Sequence, residues 1–532
     1  MLKALVNRVV TTAGSSLTGS VCLDGAPLST LPTGTVAFIP QEDVFFSLLT
    51  VRETLMYTAQ LRFPNATQQT RQDIVDRLLR ETQLTKVADS TVGDLKIPGI
   101  SGGEKKRLSI AKELIESPSV LVLDEPTTGL DSNQAHNIVE LLKTEATQNK
   151  TIVFTIHQPR ASIFENLDDV IILNEGRIVY SGPAKGLRGH FEKHNFDLRD
   201  ANPAEFVVDL LSDPEVVLPP PPPQIYYPTV QASKREAPPS GRSPYRIFHQ
   251  FKTLIARTWK QNIRLTTTNI YKLMQSGVAS LTIGVIFKSL GYNQSDIQSR
   301  TGILQVCANY LGMTSLVGMI DAFGRESIIV HREIENGLYS IGPYFLGKVA
   351  AEFPFGFLMP TLFSCVLYPI VNLNQNLTNF LRFWGINVLS SFTSTAFGMA
   401  IGAISPNVDI ALGLGKFLMM VFVIFGGLYV NELSIKGPLV LIPKISIIKQ
   451  TFQALCINEF VGTKFITNGP GDISTGEQVL SRLSFNPDNL LSIVKGQFLF
   501  YLFNLLMTYL ALKIRQRKFT SPQPPQIKTP EE

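Results

Sequence analysis

Residues Ile100–Ser132 read ISGGEKKRLSIAKELIESPSVLVLDEPTTGLDS. A Ser-Gly-Gly turn, Ser101 to Gly103, opens a basic helix; a short apolar strand, Val120 to Leu123, then ends on Asp124-Glu125. A strand that delivers two adjacent carboxylates at its C-terminal edge is where an α/β nucleotide-binding fold holds Mg²⁺ and activates water. Free backbone N–H groups at a helix start, with glycines permitting close approach, favour a bound anion. The same serine also serves as an ordinary N-cap, and it is Asp124-Glu125 downstream that favours the anion reading.

Outward from this stretch, short β-rich runs alternate with helical patterns from residue 1 to about 212: Thr35–Pro40, a helix from Val51 to Arg62, Val120–Leu123, Thr151–Ile156 and Val170–Leu173. Such alternation predicts a mostly parallel sheet flanked by helices. Gln41 follows the first of these strands, in PQEDVFFSLLTVRETL, and His157 follows TIVFTI, in IHQPR. An isolated glutamine or histidine after a strand is usually structural; their sequence surroundings single these two out.

Residues 213–244 include five consecutive prolines, Pro219–Pro223. That composition packs no core and favours extended conformations, so it reads as a linker. From about Tyr245 to Arg264, Phe248, Phe251, Ile255, Trp259 and Ile263 recur at three- and four-residue steps, with basic residues on other faces. This is the pattern of a helix lying at a membrane surface, or of an amphipathic helix packed on the first domain.

Six apolar stretches follow, near 270–291, 301–322, 349–371, 380–405, 410–430 and 496–513. Phe353 to Leu381 and Phe383 to Val408 contain no charged residue. About 20 apolar residues cross the hydrocarbon layer as a helix. A charge at the helix centre costs about 2.5–3.5 kcal/mol, so uncharged runs of this length predict membrane spans. Six spans put both termini on one side, the cytosolic one, and the sequons at Asn293 and Asn376 then fall in outer loops.

The 532 residues leave room for about three domains. A net charge of +5 gives nucleic-acid binding no support, since the basic residues flank apolar segments instead. The four cysteines, Cys22, Cys307, Cys365 and Cys456, lie far apart, without metal or disulfide spacing. Of the three in the second half, Cys456 alone falls in a segment expected outside the membrane.

The order and spacing of these motifs resemble an ATP-binding-cassette ATPase. A cassette ahead of the membrane domain, six spans and ISGGEKKR resemble in particular the subfamily G half-transporters, the White–Brown complex group. GRIVYSG at Gly176–Gly182, HREIENGLYSIGPYFLGK at His331–Lys348 and NEFVG at Asn458–Gly462 match as well. The resemblance implies an α/β P-loop-type ABC ATPase domain over 1–212, a Pro-rich linker over 213–244, and an all-α six-helix transmembrane domain over 245–532. It implies ATP and Mg²⁺ as cofactors and a homo- or heterodimer with another such half. The substrate would be lipophilic or amphipathic, exported across a membrane, most simply the plasma membrane, with the cassette cytosolic.

The resemblance also assigns roles. Asp124 joins the Mg²⁺ shell, Glu125 polarises the attacking water and His157 orients it. Gln41 reports occupancy to the membrane domain. Ser101, Gly102 and Gly103 cap the γ-phosphate of ATP held by the opposite subunit, and Asp131 communicates across the dimer. Substrate would move through a cavity between the second and fifth spans, beneath an apolar plug at Leu428 and Tyr429. A short helix within His331–Lys348 would transmit closure. For Leu428 and Tyr429, plain helix packing explains the residues equally well.

The phosphate cradle needs G-x-x-x-x-G-K-[ST]. No such string occurs in the sequence; Gly342 to Lys348 approaches it but continues with Val349 at the start of an apolar stretch. MLKALVNR instead resembles the helix that directly follows the cradle in this family, so the first strand and the catalytic lysine are expected upstream of Met1. Three readings stay open: one half of an ATP-driven exporter, a non-hydrolysing partner or regulatory subunit, and an inactive truncated product.

Overall fold

The computed structural model describes residues 2–9, 16–19, 21–32, 34–193, 203–212, 244–430, 435–467 and 469–516. The linker expected over 213–244 lies outside them up to residue 243. Two compact units divide between Arg246 and Ile247.

The first unit runs α1 (Leu2–Leu5), β1 (Cys22–Leu23), β2 (Ala26–Pro27), β3 (Val36–Ile39), α2 (Val51–Arg62), α3 (Gln68–Glu81), α4 (Gly102–Leu114), β4 (Val120–Leu123) and α5 (Ser132–Ala146). It continues with β5 (Thr151–Phe154), α6 (Ala161–Phe164), β6 (Asp169–Asn174), β7 (Arg177–Pro183), α7 (Leu187–Lys193) and α8 (Pro203–Ser212). Strands β3, β4 and β5 form a parallel sheet in that order, with Ile39 beside Leu123 and Leu123 beside Phe154. This register brings the residues after all three strands to one edge.

The run VLVL is apolar throughout because both faces of the sheet are covered. Ala37, Ile39, Leu121 and Leu123 join the core of α2 to α5, whereas Phe38 and Val122 pack with Leu2 and Val6 on the other side. Helix α2 starts at a capping box, Thr50 with Glu53.

One expectation is corrected. The strand over Val170–Leu173 is not in the parallel sheet; among the described residues β6 pairs antiparallel with β7 alone. Glu175 and Gly176, both at positive φ (47° and 78°), make the tight hairpin that forces this pairing.

The second unit contains most of α9 (Pro244–Arg264), then α10 (Thr266–Ile286), α11 (Gln294–Glu335), α12 (Ile341–Val371), α13 (Leu377–Ile404), α14 (Val408–Ile424), α15 (Leu441–Ile445), α16 (Ile447–Phe460), α17 (Gly476–Arg482) and α18 (Leu490–Arg515). Helix α13 packs against both α11 and α18. Each of the six expected stretches overlaps a helix, with α10 ending at Ile286 and α14 at Ile424.

Four helices, α11, α12, α13 and α18, are long and apolar enough to cross a membrane among the described residues. Helix α10 carries a polar start, Thr266 to Asn269, and α14 is only 17 residues long. Sequence reading missed a fifth candidate, the segment Gly437–Ile445 followed by Ile447–Phe460, bent by 64° at Ser446. Cys456, expected outside the membrane, is fully buried there.

Two further differences concern helix ends. Helix α11 continues past the expected limit near 322 to Glu335, reaching 42 residues. Gly337 (φ 68°) stops it: its N–H donates to Ile334 O and the Leu338 N–H to Glu333 O, both at 2.9 Å, a Schellman cap. His331–Lys348 is therefore not one short helix but the end of α11, a turn and the start of α12.

Helix α9 turns its polar face inward. Gln250, Thr253, Arg257, Thr258, Gln261 and Asn262 are buried, whereas Phe248, Trp259 and Ile263 are exposed. An apolar face left outside suits a lipid interface.

Candidate functional site

The parallel register places Gln41, Asp124-Glu125 and Thr155 side by side at one edge. Gln41 Nε2 donates to Glu125 Oε2 at 2.8 Å, and Thr128 Oγ1 donates to the same oxygen at 3.0 Å. The Glu125 N–H donates to Thr155 Oγ1 (2.9 Å), whose hydroxyl donates to Asp124 Oδ1 (3.0 Å). Asp124 and Glu125 are half-buried; Gln41 is exposed.

Glu125 (φ 44°) and Gln158 (φ 47°) both adopt the left-handed region, which non-glycine residues seldom enter. Such strain persists where surrounding structure over-determines it, and it gathers at functional sites. His157, between strand β5 and Gln158, is exposed and makes no hydrogen bond among the described residues. The structure thus joins Gln41, Asp124 and Glu125, and leaves His157 beside them unbonded.

At the start of α4, Ser101 is a true N-cap. Its Oγ accepts from the Glu104 N–H at 3.3 Å, and Glu104 Oε2 accepts from the Ser101 N–H at 2.8 Å. The first-turn N–H groups of Gly102 and Gly103 remain available to an anion. A Cβ on Gly103 would lie 2.5 Å from Gln134 Oε1, so the Gln134 side chain would have to turn aside. At Gly102 the nearest atom would be Leu130 Cδ2 at 3.7 Å, so packing makes no such demand. Asp131 caps α5 through the Gln134 N–H at 2.8 Å.

Sequence reasoning missed the clamp between α4 and the Gln41 loop. Lys106 Nζ lies 3.0 Å from Asp43 Oδ2 and donates to Gln41 O at 2.8 Å, and Ser109 Oγ donates to Asp43 Oδ1 at 2.7 Å. Lys106 is only 2% exposed. The doublet Lys105-Lys106 gives no hint of which lysine turns inward; only the periodicity of α4, with Gly103, Lys106 and Ile110 on one buried face, could have shown it.

In the second unit, Leu428 and Tyr429 lie in the turns after α14, 36% and 66% exposed. A cavity of about 400 Å³ opens on α10 and α11, lined by Ile283, Val306, Asn309, Tyr310, Met313 and Thr314. Elsewhere α9, α11 and α12 share buried ion pairs. Arg257 Nη1 donates to Glu333 Oε2 (2.8 Å), Tyr339 donates to the same oxygen (2.7 Å), and Lys348 lies 3.0 Å from Glu326 and 2.8 Å from Glu352.

A family described as ABC transporter matches residues 2–128, and one described as ABC-2 type transporter matches residues 249–460. ABC transporter G family member 7 of Arabidopsis thaliana is 39% identical over 98% of this chain and 75% of its own length. The chain belongs to ABC transporter subfamily G. The mouse broad substrate specificity ATP-binding cassette transporter ABCG2 is 31% identical over 84% of this chain and 75% of its own length. Protein white of Drosophila melanogaster is 28% identical over 97% and 80% respectively.

The subfamily G half-transporter architecture accounts for the order of the units: an ATP-binding cassette first, a multi-pass membrane domain after it. Half-transporters of this subfamily typically dimerise and move substrates across membranes.

Proposed function

We propose that this chain is one half of an ATP-driven exporter of lipophilic or amphipathic molecules. It acts with a second subfamily G half, identical or different, in the plasma membrane, with the cassette and both termini cytosolic. Helices α10 to α14 and α18 are read as its six crossings; α10, with 21 residues, is about 31 Å long, enough for the hydrocarbon layer.

The observation that carries this reading is the bonded set Gln41, Glu125, Thr155 and Asp124 at one strand edge. Carboxylate, hydroxyl and amide oxygens are the donors Mg²⁺ takes, together with substrate phosphates. The residues present therefore fit the metal side of a Mg²⁺·ATP site. Bound Mg²⁺·ATP supplies the phosphoanhydride bond whose hydrolysis drives the cycle.

In this reading Asp124 and Gln41 hold the metal, and Glu125, freed from the Gln41 amide, accepts the hydrogen bond of the attacking water. His157 orients that water from the next strand. Ser101 and the N–H groups of Gly102 and Gly103 meet the phosphate bound on the opposite half, with Asp131 alongside. The cavity at Asn309 and Tyr310, which opens on the first and second crossings rather than between the second and fifth as expected, takes the substrate; its mainly apolar lining suits an apolar body with few polar groups. The mouse relative is named for broad substrate specificity, which an apolar cavity with few fixed polar contacts favours.

Glu125→Gln in the assembled dimer is the test. ATP binding should persist while turnover falls by at least about 100-fold. Undiminished turnover would refute the role of Glu125 and favour a half that hydrolyses no ATP of its own.

A further inference from the structure

Lys416 is the middle residue of α14, with eight residues on either side. At 1.5 Å per residue that is about 12 Å from each end, farther than a lysine stem reaches by snorkelling. The side chain is exposed and has no ion-pair or hydrogen-bond partner among the described residues. Its neighbours on the exposed face are apolar: Leu414, Phe417, Met420. A cation so placed costs about 2.5–3.5 kcal/mol on insertion, and such residues mark substrate or ion pathways.

Its position relative to the cavity follows from how α14 packs on α11. A Cβ on Gly324 would meet Val408, one on Gly415 would meet Ile320 and Leu316, and one on Gly312 would meet Met419. The pairing runs antiparallel. At 100° per residue, Lys416 lies about a quarter turn from the contact line of α14. Tyr310 and Met313 are displaced from the contact line of α11 in the same rotational sense. In an antiparallel pair, equal senses fall on the same side. Lys416 therefore shares a side with the cavity, about one turn along from Met313 and Thr314.

We propose that Lys416 receives the acidic head of an amphiphilic substrate whose apolar body lies against α11 and α14. The inference rests on the exporter reading above and adds the charge class of the substrate. A carboxylate supplies the counter-charge that the chain does not, and the exposed apolar side chains receive its tail. A neutral ester of the same length gains only the second contact.

The test uses the full chain in zwitterionic phosphatidylcholine nanodiscs and two probes, a fatty acid with a diazirine in its chain and the methyl ester of the same acid. Photolabelling of peptides from α11 and α14 is read by mass spectrometry. The acid should label at least about tenfold more than the ester, the discrimination expected of a charge-assisted hydrogen bond. Lys416→Met should bring the acid down to the level of the ester without changing ester labelling; Lys416→Arg should keep the preference. Lys416→Gln repeats the neutral case should Met fail to fold. Equal labelling by acid and ester in the unmodified chain, or a preference that survives both neutral variants, overturns the assignment of Lys416. Labelling of neither helix by either probe overturns the exporter path beneath it.

Discussion

Arg300 and Glu459 form a fully buried ion pair between α11 and α16, 159 residues apart in the chain. Arg300 also donates to the carbonyls of Gly291 (3.1 Å), Leu290 (3.0 Å) and Asn372 (3.2 Å), and its guanidinium lies 4.6 Å from the Tyr292 ring centroid. Glu459 also accepts from the Asn374 N–H at 3.2 Å. The α10–α11 and α12–α13 connections and the bent α15–α16 pair are thus pinned at one point.

The two partners are not equivalent, and the difference is measurable. Arg300→Met strands a buried carboxylate and removes a donor from three carbonyls, of which Leu290 O keeps the Asn372 amide, so it should cost about 3–5 kcal/mol. Glu459→Gln keeps an acceptor for Arg300 and should cost about 1–3 kcal/mol. Thermal unfolding in detergent, followed by intrinsic fluorescence, should rank Arg300→Met well below Glu459→Gln; the reverse order would refute this asymmetry.

Lys106→Met removes the cation that holds Asp43 and the Gln41 carbonyl. Gln41 should then lose its fixed approach to Glu125. In the assembled dimer, turnover should fall at least about tenfold, with nucleotide binding nearly retained. Ser109→Ala, which removes one hydrogen bond to Asp43, should cost only about 1 kcal/mol of stability and little turnover. Equal loss in both variants would argue against the clamp.

Glu116 gives the first unit a pH dependence. Burial pushes its carboxyl up from the ordinary glutamate range, against the pull of Arg62 at 3.3 Å. A carboxyl raised in the folded state binds its proton more tightly there than in the unfolded chain. Its contribution is fully present below the ordinary glutamate value and is lost as pH rises through the higher folded value. Calorimetry on the full chain should show this component of stability declining across that window, and Glu116→Gln should flatten the decline. An unchanged profile in Glu116→Gln would rule the residue out.

Gly476 begins α17 under a tight constraint. A Cβ there would lie 1.8 Å from the Phe460 carbonyl oxygen, a backbone atom that cannot rotate away. Gly476→Ala should cost at least about 1–3 kcal/mol by overpacking, whereas Gly469→Ala, which meets nothing within 4 Å, should be nearly silent. Comparison of the two unfolding midpoints checks this.

Much of the first unit was legible because its signals are local. Val120–Leu123 carries its own apolar run and its own terminating carboxylates, and the strand is found there. Ser101 announced its helix through cap chemistry. The hairpin of β6 and β7 was misassigned because an apolar strand does not reveal its partner. The pairing depends on Glu175-Gly176, a two-residue turn that the surrounding periodicity hides.

Tertiary contacts were less readable. Lys106, Thr155 and Thr128 reached the site only through folding, since nothing in EKKR, VFTIH or EPTTG marks which polar side chain turns inward. Ser446 concealed the bend between α15 and α16 for the same reason, one serine among apolar neighbours. The length of α11 was underread because charged residues from Asp321 onward end an apolar stretch without ending a helix.

At 1.5 Å per residue, the 42 residues of α11 make a rod of about 63 Å, roughly twice the thickness of the hydrocarbon layer. Glu326 and Glu333 grip one end and Arg300 the other. A swing of about 5° about one grip displaces the far tip by about 5 Å, the scale of a single helical turn. Mechanical advantage is therefore built into an unbroken stretch of backbone, and a proline placed near Thr314 would hinge the lever and decouple its two ends.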